Sequence, residues 1–206
     1  MAFCKMNKIE YKKVEIRILK GQHLTDEYKR INPAKRVPAM TDGDFTIGES
    51  HTIMRYLHQT RKLPDHWYPQ DAKKRAKVDE YLDWHHSNLR QGVGAHVFKK
   101  CFAPLMGLKF PESEFEILDM MWERSLRHLN SMLVDNKYLW GDEITIADLS
   151  AYCELTQIGF IEKDYSQYTN IKHWEKQMFD IPEVAEVTEP VFKFTEMFLK
   201  NAKAKI

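Results

Sequence analysis

The 206-residue sequence lacks the patterns of disulfide-bonded and metal-binding proteins. Its three cysteines, Cys4, Cys101 and Cys153, are far apart and form no Cys-x-x-Cys pair. This excludes a disulfide framework and a thiolate zinc site, and it is typical of a reducing compartment. No His-Glu-x-x-His motif occurs, and the adjacent His85 and His86 cannot both face one metal ion from a helix. We therefore expect no metal cofactor.

Long apolar runs and an excess of one charge are also absent. Lys and Arg number 31 against 30 Asp and Glu, which gives a formal net charge of +1. Such a balance does not favour a nucleic-acid or anionic-membrane partner. No run approaches the roughly twenty apolar residues of a membrane span, and the first eight residues lack the apolar core of a secretion signal. We expect a soluble, cytoplasmic protein.

What the sequence does contain is a change of pattern after residue 60. Residues 1–60 mix short periodicities: the end of a helix, an alternating strand at Val14–Ile18, a short helix at Asp26–Ile31, a hairpin, and another helix. Residues 61–70 carry Pro64 and Pro69 and are predicted to be a linker. From residue 71 onward the apolar spacing is helical, which predicts an all-α bundle.

The backbone is most tightly specified between Arg36 and Ser50. Pro38 removes a backbone donor and keeps Val37 extended, so a strand can begin just after it. Asp42-Gly43 predicts a tight hairpin turn, because Gly tolerates the positive φ that such turns require. A helix is then predicted to begin at Glu49-Ser50, with apolar residues on one side.

This stretch could bind the α-amino-acid end of a small peptide. The backbone of Val37 could pair with a peptide-like ligand as an added strand. A helix N-terminus at Ser50 offers N–H groups to a carboxylate, and Glu49 offers an anion to an ammonium group. The alternative from residue types alone is that Ser50 is a helix cap, Glu49 a solvated charge and Pro38 a loop residue.

The helical half contains one strong folding signal. Thr145 and Asp148 have the spacing of a capping box, and Ile144 can pack on Leu149 as a hydrophobic staple. We interpret this pattern as the start of a buried helix, with no part in chemistry. Long helices are also predicted before it, ending with Glu112–Leu133, and two more after it.

Several motifs occur together in one order and spacing, and this combination resembles the cytosolic glutathione transferases, most closely the theta class. They are Lys20-Gly21-Gln22-His23-Leu24, Asn32-Pro33, Arg36-Val37-Pro38-Ala39, Asp42-Gly43-Asp44-Phe45, Glu49-Ser50, Pro64 to Asp71, and Val78 to Leu82. The resemblance covers nearly the whole chain. It implies a thioredoxin-like glutathione-binding α/β domain in residues 1–60, incomplete at its start, and an all-helical domain in residues 71–206.

The resemblance also implies a role for each residue of the glutathione site. Val37 would pair with the cysteinyl unit and precede a cis Pro38, and Glu49 and Ser50 would hold the γ-glutamyl end. His23 and Arg36 match positions that reach the glycyl carboxylate. Gly48 departs from the hydroxyl residue usual before the Glu-Ser pair.

In the family, a leading strand and a serine that binds the glutathione sulfur would lie before Met1. We expect Val14–Ile18 and Ala39–Asp42 to lose a strand partner as a result. Arg90 matches a helical arginine that faces the sulfur, and its guanidinium could stabilise the thiolate without that serine.

Three functions remain open from the sequence. One is a homodimeric theta-like transferase that joins the glutathione thiolate to apolar electrophiles, with activity impaired by the missing serine. Another is a non-catalytic module of the same fold that serves in binding or scaffolding. The third is an incomplete gene product whose full version is an ordinary enzyme.

Overall fold

A computed structural model describes residues 1–203. It contains eight α-helices: α1 (Ala2–Met6), α2 (Asp26–Ile31), α3 (Ser50–Thr60), α4 (Ala72–Ser87), α5 (Glu112–Met132), α6 (Ile146–Leu155), α7 (Thr169–Phe179) and α8 (Pro182–Lys203). Strands β1 (Ala39–Asp42) and β2 (Phe45–Gly48) form the sheet. Short 3-10 turns occupy Ile18–Lys20, Gln22–Leu24, Asp65–Trp67, Ala103–Met106 and Ile158–Ile161, and π-helical turns occupy Gln91–Ala95 and Phe98–Phe102. The architecture is a thioredoxin-like N-terminal unit with a small sheet, followed by a helical bundle.

The N-terminal half confirms the predicted hairpin but not the predicted strand before it. β1 and β2 pair antiparallel through the Asp42-Gly43 turn, where Gly43 has φ of 59°. The strand predicted at Val14–Ile18 is wrong, because this segment is irregular and then enters a 3-10 turn, with Val14 68% exposed. Within the described residues no strand lies beside it, and an alternating pattern without a ladder partner leaves its backbone groups to water.

The C-terminal half is built around α6, which is buried on most of its surface. Ile146, Ala147 and Ala151 of α6 are fully buried and belong to one core with Leu126 of α5 and Trp174 of α7. Such a helix has no free polar face, so its stability depends on packing and on its cap. Among residues 1–203, no helix is both long and apolar enough to cross a bilayer.

The predicted capping box is confirmed at the start of α6. The Thr145 hydroxyl accepts a hydrogen bond from the Ala147 N–H at 3.1 Å, and Asp148 accepts one from the Thr145 N–H at 2.9 Å. Asp148 also accepts from the Leu139 N–H and from the Trp174 indole N–H. This one carboxylate therefore joins α6, α7 and the loop before α6.

The chain after α4 bends inward at two glycines. A Cβ atom on Gly92 would lie 2.8 Å from the backbone of Trp122, so only glycine allows this approach of α5. The helical path is interrupted here by the π-helical turn Gln91–Ala95. Arg90, two residues before Gly92, contacts Glu154 of α6.

Candidate functional site

The hairpin brings the predicted ligand-binding residues to one edge. Ala39 pairs with Gly48, so the chain enters β1 through Val37 and Pro38 at the end where it leaves β2 for Glu49 and Ser50. The Val37–Pro38 peptide bond is cis, as the resemblance implied. A strand edge and a helix start therefore lie side by side, as binding of a short peptide would require.

Hydrogen bonds from partly buried side chains hold the loop before Pro38, and its outer side is exposed. The Arg36 carbonyl accepts hydrogen bonds from the Tyr28 hydroxyl at 2.8 Å and from the Asn32 side-chain amide at 2.7 Å. Val37 is 37% exposed, and within the described chain its backbone N–H and C=O make no hydrogen bond. A ligand can therefore use both groups of Val37 without breaking an existing bond.

The presence of glycine at position 48 has a steric reason in this chain. A Cβ atom at this position would lie 2.9 Å from Nδ2 of Asn32, the amide that holds the Arg36 carbonyl. A hydroxyl residue at position 48 would displace Asn32. The departure from the family pattern is thus matched to the way this chain fixes its ligand-binding loop.

Glu49 occupies a strained backbone position at the start of α3. Its φ is 64°, in the left-handed region that non-glycine residues rarely adopt, at a cost of about 1–3 kcal/mol. Its side chain forms no cap to α3, and both Glu49 and Ser50 are exposed. The first N–H groups of α3 therefore remain available, with the Glu49 carboxylate next to them.

His23 and Arg36 lie on two segments that a hydrogen bond joins. The Lys35 ammonium donates to the Leu24 carbonyl at 3.1 Å, which holds the His23 turn against the Arg36 loop. Arg36 is exposed, whereas Nδ1 of His23 is buried without a hydrogen-bond partner among the described residues. Their contact with a glycyl carboxylate stays a prediction.

Arg90 lies just beyond α4 and contacts the central helix of the bundle. Its Nη1 atom donates to Oε2 of Glu154 on α6 at 2.9 Å. The Arg90 side chain is 55% exposed and that of Glu154 only 2%. One edge of the guanidinium is therefore bound to a buried carboxylate, and the rest is open to a ligand.

A cluster of histidines connects the start of α3 to α4. The His51 ring lies 5.1 Å from that of His85 and 4.6 Å from that of His86. Its Nε2 atom lies 2.6 Å from the Ser150 hydroxyl of α6. Burial, followed by the charges of the other two histidines, lowers the pKa of His51 to about 3, so this ring is neutral at pH 7.

Charges from both halves of the candidate site affect the pKa of His86. Burial and then the neighbouring His85 lower the pKa of His86, the Glu49 carboxylate opposes this shift, and the Arg90 guanidinium adds to it. Glu49 and Arg90 thus both act electrostatically on His86, which packs on His51 of α3. Among the predicted site residues, Glu49 is the one that this shared neighbour connects to Arg90.

Sequence reasoning missed Glu154 and the pairing of His51 with Ser150. One signal could have found Glu154, namely a glutamate within the helix that the capping box predicts to be buried, since such a charge needs a partner. Nothing local indicates the partner, because Arg90 is 64 residues away. Among the described residues, no group of three or more His, Cys, Asp or Glu side chains is placed to hold a metal ion.

Two family models match the chain. "Glutathione S-transferase, N-terminal domain" matches residues 1–59, and "Glutathione S-transferase, C-terminal domain" matches residues 95–182.

Similar proteins cover most of this chain. It is 36% identical over 210 residues to glutathione S-transferase T1 of Arabidopsis thaliana, which covers 97% of this chain and 86% of that protein. It is 41% identical over 156 residues to glutathione S-transferase theta-1 of Homo sapiens, covering 74% and 65%. It spans only 36% of the length of the Arabidopsis T2 relative.

Solved structures show the same fold. The apo form of human glutathione S-transferase T1-1 superposes with a TM-score of 0.81 at 34% identity, covering 97% of this chain and 83% of that one. Human glutathione transferase theta-2, in complex with glutathione and an unknown ligand, superposes with a TM-score of 0.87 at 30% identity, covering 97% and 84%.

Proposed function

We propose that this chain, which belongs to the glutathione S-transferase family, acts as a theta-type glutathione transferase on apolar electrophiles. The observation that carries the proposal is the hairpin register, which sets the free backbone of Val37 beside Glu49 and Ser50. A structural neighbour of theta type binds glutathione, which supports the same co-substrate here.

Each end of glutathione has a candidate partner. The backbone of Val37 pairs with the cysteinyl unit, and the Glu49 carboxylate and the Ser50 end of α3 hold the γ-glutamyl ammonium and carboxylate. His23 and Arg36 take the glycyl carboxylate through charge-assisted hydrogen bonds. The polar ends are then fixed, and the thiol is directed toward Arg90.

Arg90 stabilises the thiolate in this proposal. A free thiol has a pKa near about 8.5, so only a few per cent is ionised at neutral pH. The guanidinium of Arg90 is permanently charged, so it favours the thiolate over the thiol at neutral pH.

The electrophile lies against apolar side chains that follow Arg90. Phe98, Leu105, Met106 and Leu108 are all large, apolar and exposed on this segment. An exposed apolar group of this kind is typical of a ligand or protein contact. We further propose that the chain forms a homodimer in the cytoplasm, and the exposed Ile117 and Met120 of α5 support a contact with a second copy.

The alternative is a binding or scaffold module of the same fold. The ion pair between Arg90 and Glu154 favours it, because a buried anion offsets part of the charge that would stabilise the thiolate. The two functions differ in their chemistry and can be separated by one measurement.

Titration calorimetry with glutathione and a conjugation assay with a panel of alkyl and aryl halides test the proposal. We expect glutathione to bind with a Kd below a few millimolar, and conjugation of at least one of the halides to be measurable. Conjugation should fall in Arg90→Ala. Binding without turnover would support the scaffold module, and no binding at millimolar glutathione would contradict the site itself.

A further inference from the structure

The Glu154 carboxylate is held by several groups. It lies 2% exposed, with Oε2 at 2.9 Å from Nη1 of Arg90 and 3.3 Å from Nε2 of His85, and with Oε1 accepting from the Gln157 side-chain amide at 3.1 Å. His85 is itself fixed, since its Nδ1 atom lies 3.1 Å from the Tyr81 hydroxyl in the core. The position of this carboxylate is therefore set by the bundle.

The Arg90 side chain, in contrast, is held by a single contact among the described residues. In the described part of the chain its side chain makes a single hydrogen bond, the one to Glu154. The side chain is 55% exposed, so its other donors are open to solvent or to a ligand. A long side chain with one contact loses its orientation when that contact is removed.

The backbone at Gly94 restricts the placement of the Glu154 carboxylate. A Cβ atom on Gly94 would lie 2.2 Å from Oε1, so the backbone of the π-helical turn is already against the carboxylate. Burial raises the pKa of Glu154, but the hydrogen bond of His85 and the charge of Arg90 outweigh this effect and lower it, so the group is ionised at neutral pH. The pair is thus a fixed anion and an orientable cation.

We propose that Glu154 is a positioning residue, which fixes the Arg90 guanidinium at the edge of the glutathione site so that its free donors meet the thiolate. This inference rests on the proposed function. Glu154 does not touch glutathione and acts through Arg90 alone. The chain Tyr81, His85, Glu154 and Arg90 connects the core of the bundle to the reacting sulfur.

Glu154→Gln is the sharpest substitution, because it keeps the side-chain volume and removes the charge. We expect kcat for conjugation at neutral pH to fall about tenfold, with KM for glutathione changed less than twofold. Removal of the buried anion alone would make the thiol of bound glutathione ionise at a lower pH. The positioning role predicts the opposite, a rise in the pH of ionisation followed by ultraviolet absorbance, because the displaced guanidinium no longer meets the thiolate. Glu175→Gln is the matched control, since Glu175 is another largely buried glutamate. It accepts a hydrogen bond from Tyr165 and pairs with Lys172 rather than with Arg90.

A double-mutant cycle with Arg90→Ala tests whether Glu154 acts through Arg90. In the Arg90→Ala background we expect Glu154→Gln to change kcat less than twofold. An equal tenfold loss of kcat in both backgrounds would overturn the proposal. It would also be overturned if Arg90→Ala lowered kcat while Glu154→Gln left kcat and the pH profile unchanged.

A measurement on the unmodified chain decides the same point without any activity. Nitrogen NMR of the arginine side chains should show that the Arg90 guanidinium rotates slowly, unlike the exposed Arg36. Free rotation of Arg90 would overturn the positioning role even if Glu154→Gln did not fold. Failure to bind or conjugate glutathione would instead contradict the proposed function, while the NMR result still reports on the Arg90–Glu154 pair.

Discussion

His51 and Ser150, 99 residues apart in sequence, meet at 2.6 Å between the imidazole Nε2 atom and the hydroxyl oxygen. The contact joins α3, which begins at the proposed glutathione site, to the buried helix α6. The His51 ring is 5% exposed and packs on two further histidines of α4. The interface between the two halves of the chain therefore requires a neutral imidazole.

We predict that the protein becomes less stable in mild acid because of His51. Its pKa is about 3 in the folded chain against 6.5 in the reference state, so the unfolded chain binds the proton first as pH falls. Stability is lost as pH falls below 6.5 and continues to be lost down to about 3. The free energy of unfolding from urea denaturation should be about 2 kcal/mol lower at pH 5 than at pH 7 from this group.

The substitution His51→Asn separates the contribution of His51 to the acid-dependent loss of stability from the contributions of other groups. It should remove most of that acid-dependent loss, although the variant is less stable at pH 7. His96, whose pKa is lowered to about 4 mainly by burial, contributes a similar loss that remains in the variant. An unchanged difference between pH 7 and pH 5 in His51→Asn would contradict a neutral, buried His51.

Glu49→Gln should weaken glutathione binding about tenfold. The substitution keeps the shape and removes the anion that faces the γ-glutamyl ammonium, and a charge-assisted hydrogen bond contributes roughly 1.5–3 kcal/mol. The measurement is the Kd from titration calorimetry. Glu116→Gln on the exposed surface of α5 is the control, and it should bind like the unmodified chain. Equal affinity in Glu49→Gln would show that Glu49 is only a solvated charge at a helix start.

The parts of the fold that local sequence determines were predictable. The hairpin from Ala39 to Gly48 depends on Pro38 and on the Asp42-Gly43 turn, which lie within the same short stretch. The capping box at Thr145 is local in the same way. The alternation at Val14–Ile18 predicted a strand that does not form, because a strand also needs a neighbour, and none lies beside this segment in residues 1–203.

The same distinction between local sequence and long-range packing applies to the candidate site. Val37 and Glu49 are close in sequence, and the hairpin alone brings them to one edge. The partner of Arg90 could not be read from the sequence, because it depends on how the chain after α4 turns at Gly92 and how α6 packs beside it. Resemblance indicated that Arg90 matters, and only the packing shows what holds it.

Asp148→Asn should destabilise the bundle by about 3 kcal/mol without changing glutathione affinity. Asp148 is fully buried and accepts hydrogen bonds from Leu139, Thr145 and Trp174. An amide replaces one accepting oxygen by a donor, which then faces the N–H or O–H of Thr145. Urea denaturation measures the loss. Asp142→Asn, at an exposed position, should change stability by less than about 0.5 kcal/mol. A small effect of Asp148→Asn would mean that packing alone holds α6.

Gly94→Ala tests the placement of Glu154 without changing any charge. The added methyl group would lie 2.2 Å from Oε1 of Glu154, so the carboxylate must move away from Gln157 and release Arg90. We expect kcat for glutathione conjugation to fall about tenfold, and stability to fall by about 1–3 kcal/mol.

Gly159→Ala is the control for Gly94→Ala, because its Cβ atom would crowd Thr195 at 3.1 Å in a part of the bundle that does not contact Arg90. This variant should lose stability and keep its rate per folded molecule, measured at saturating glutathione after correction for the folded fraction. If both glycine variants lost rate in proportion to stability, the Gly94 effect would be general unfolding. A selective loss in Gly94→Ala requires that the position of one buried carboxylate governs the chemistry at the other end of Arg90.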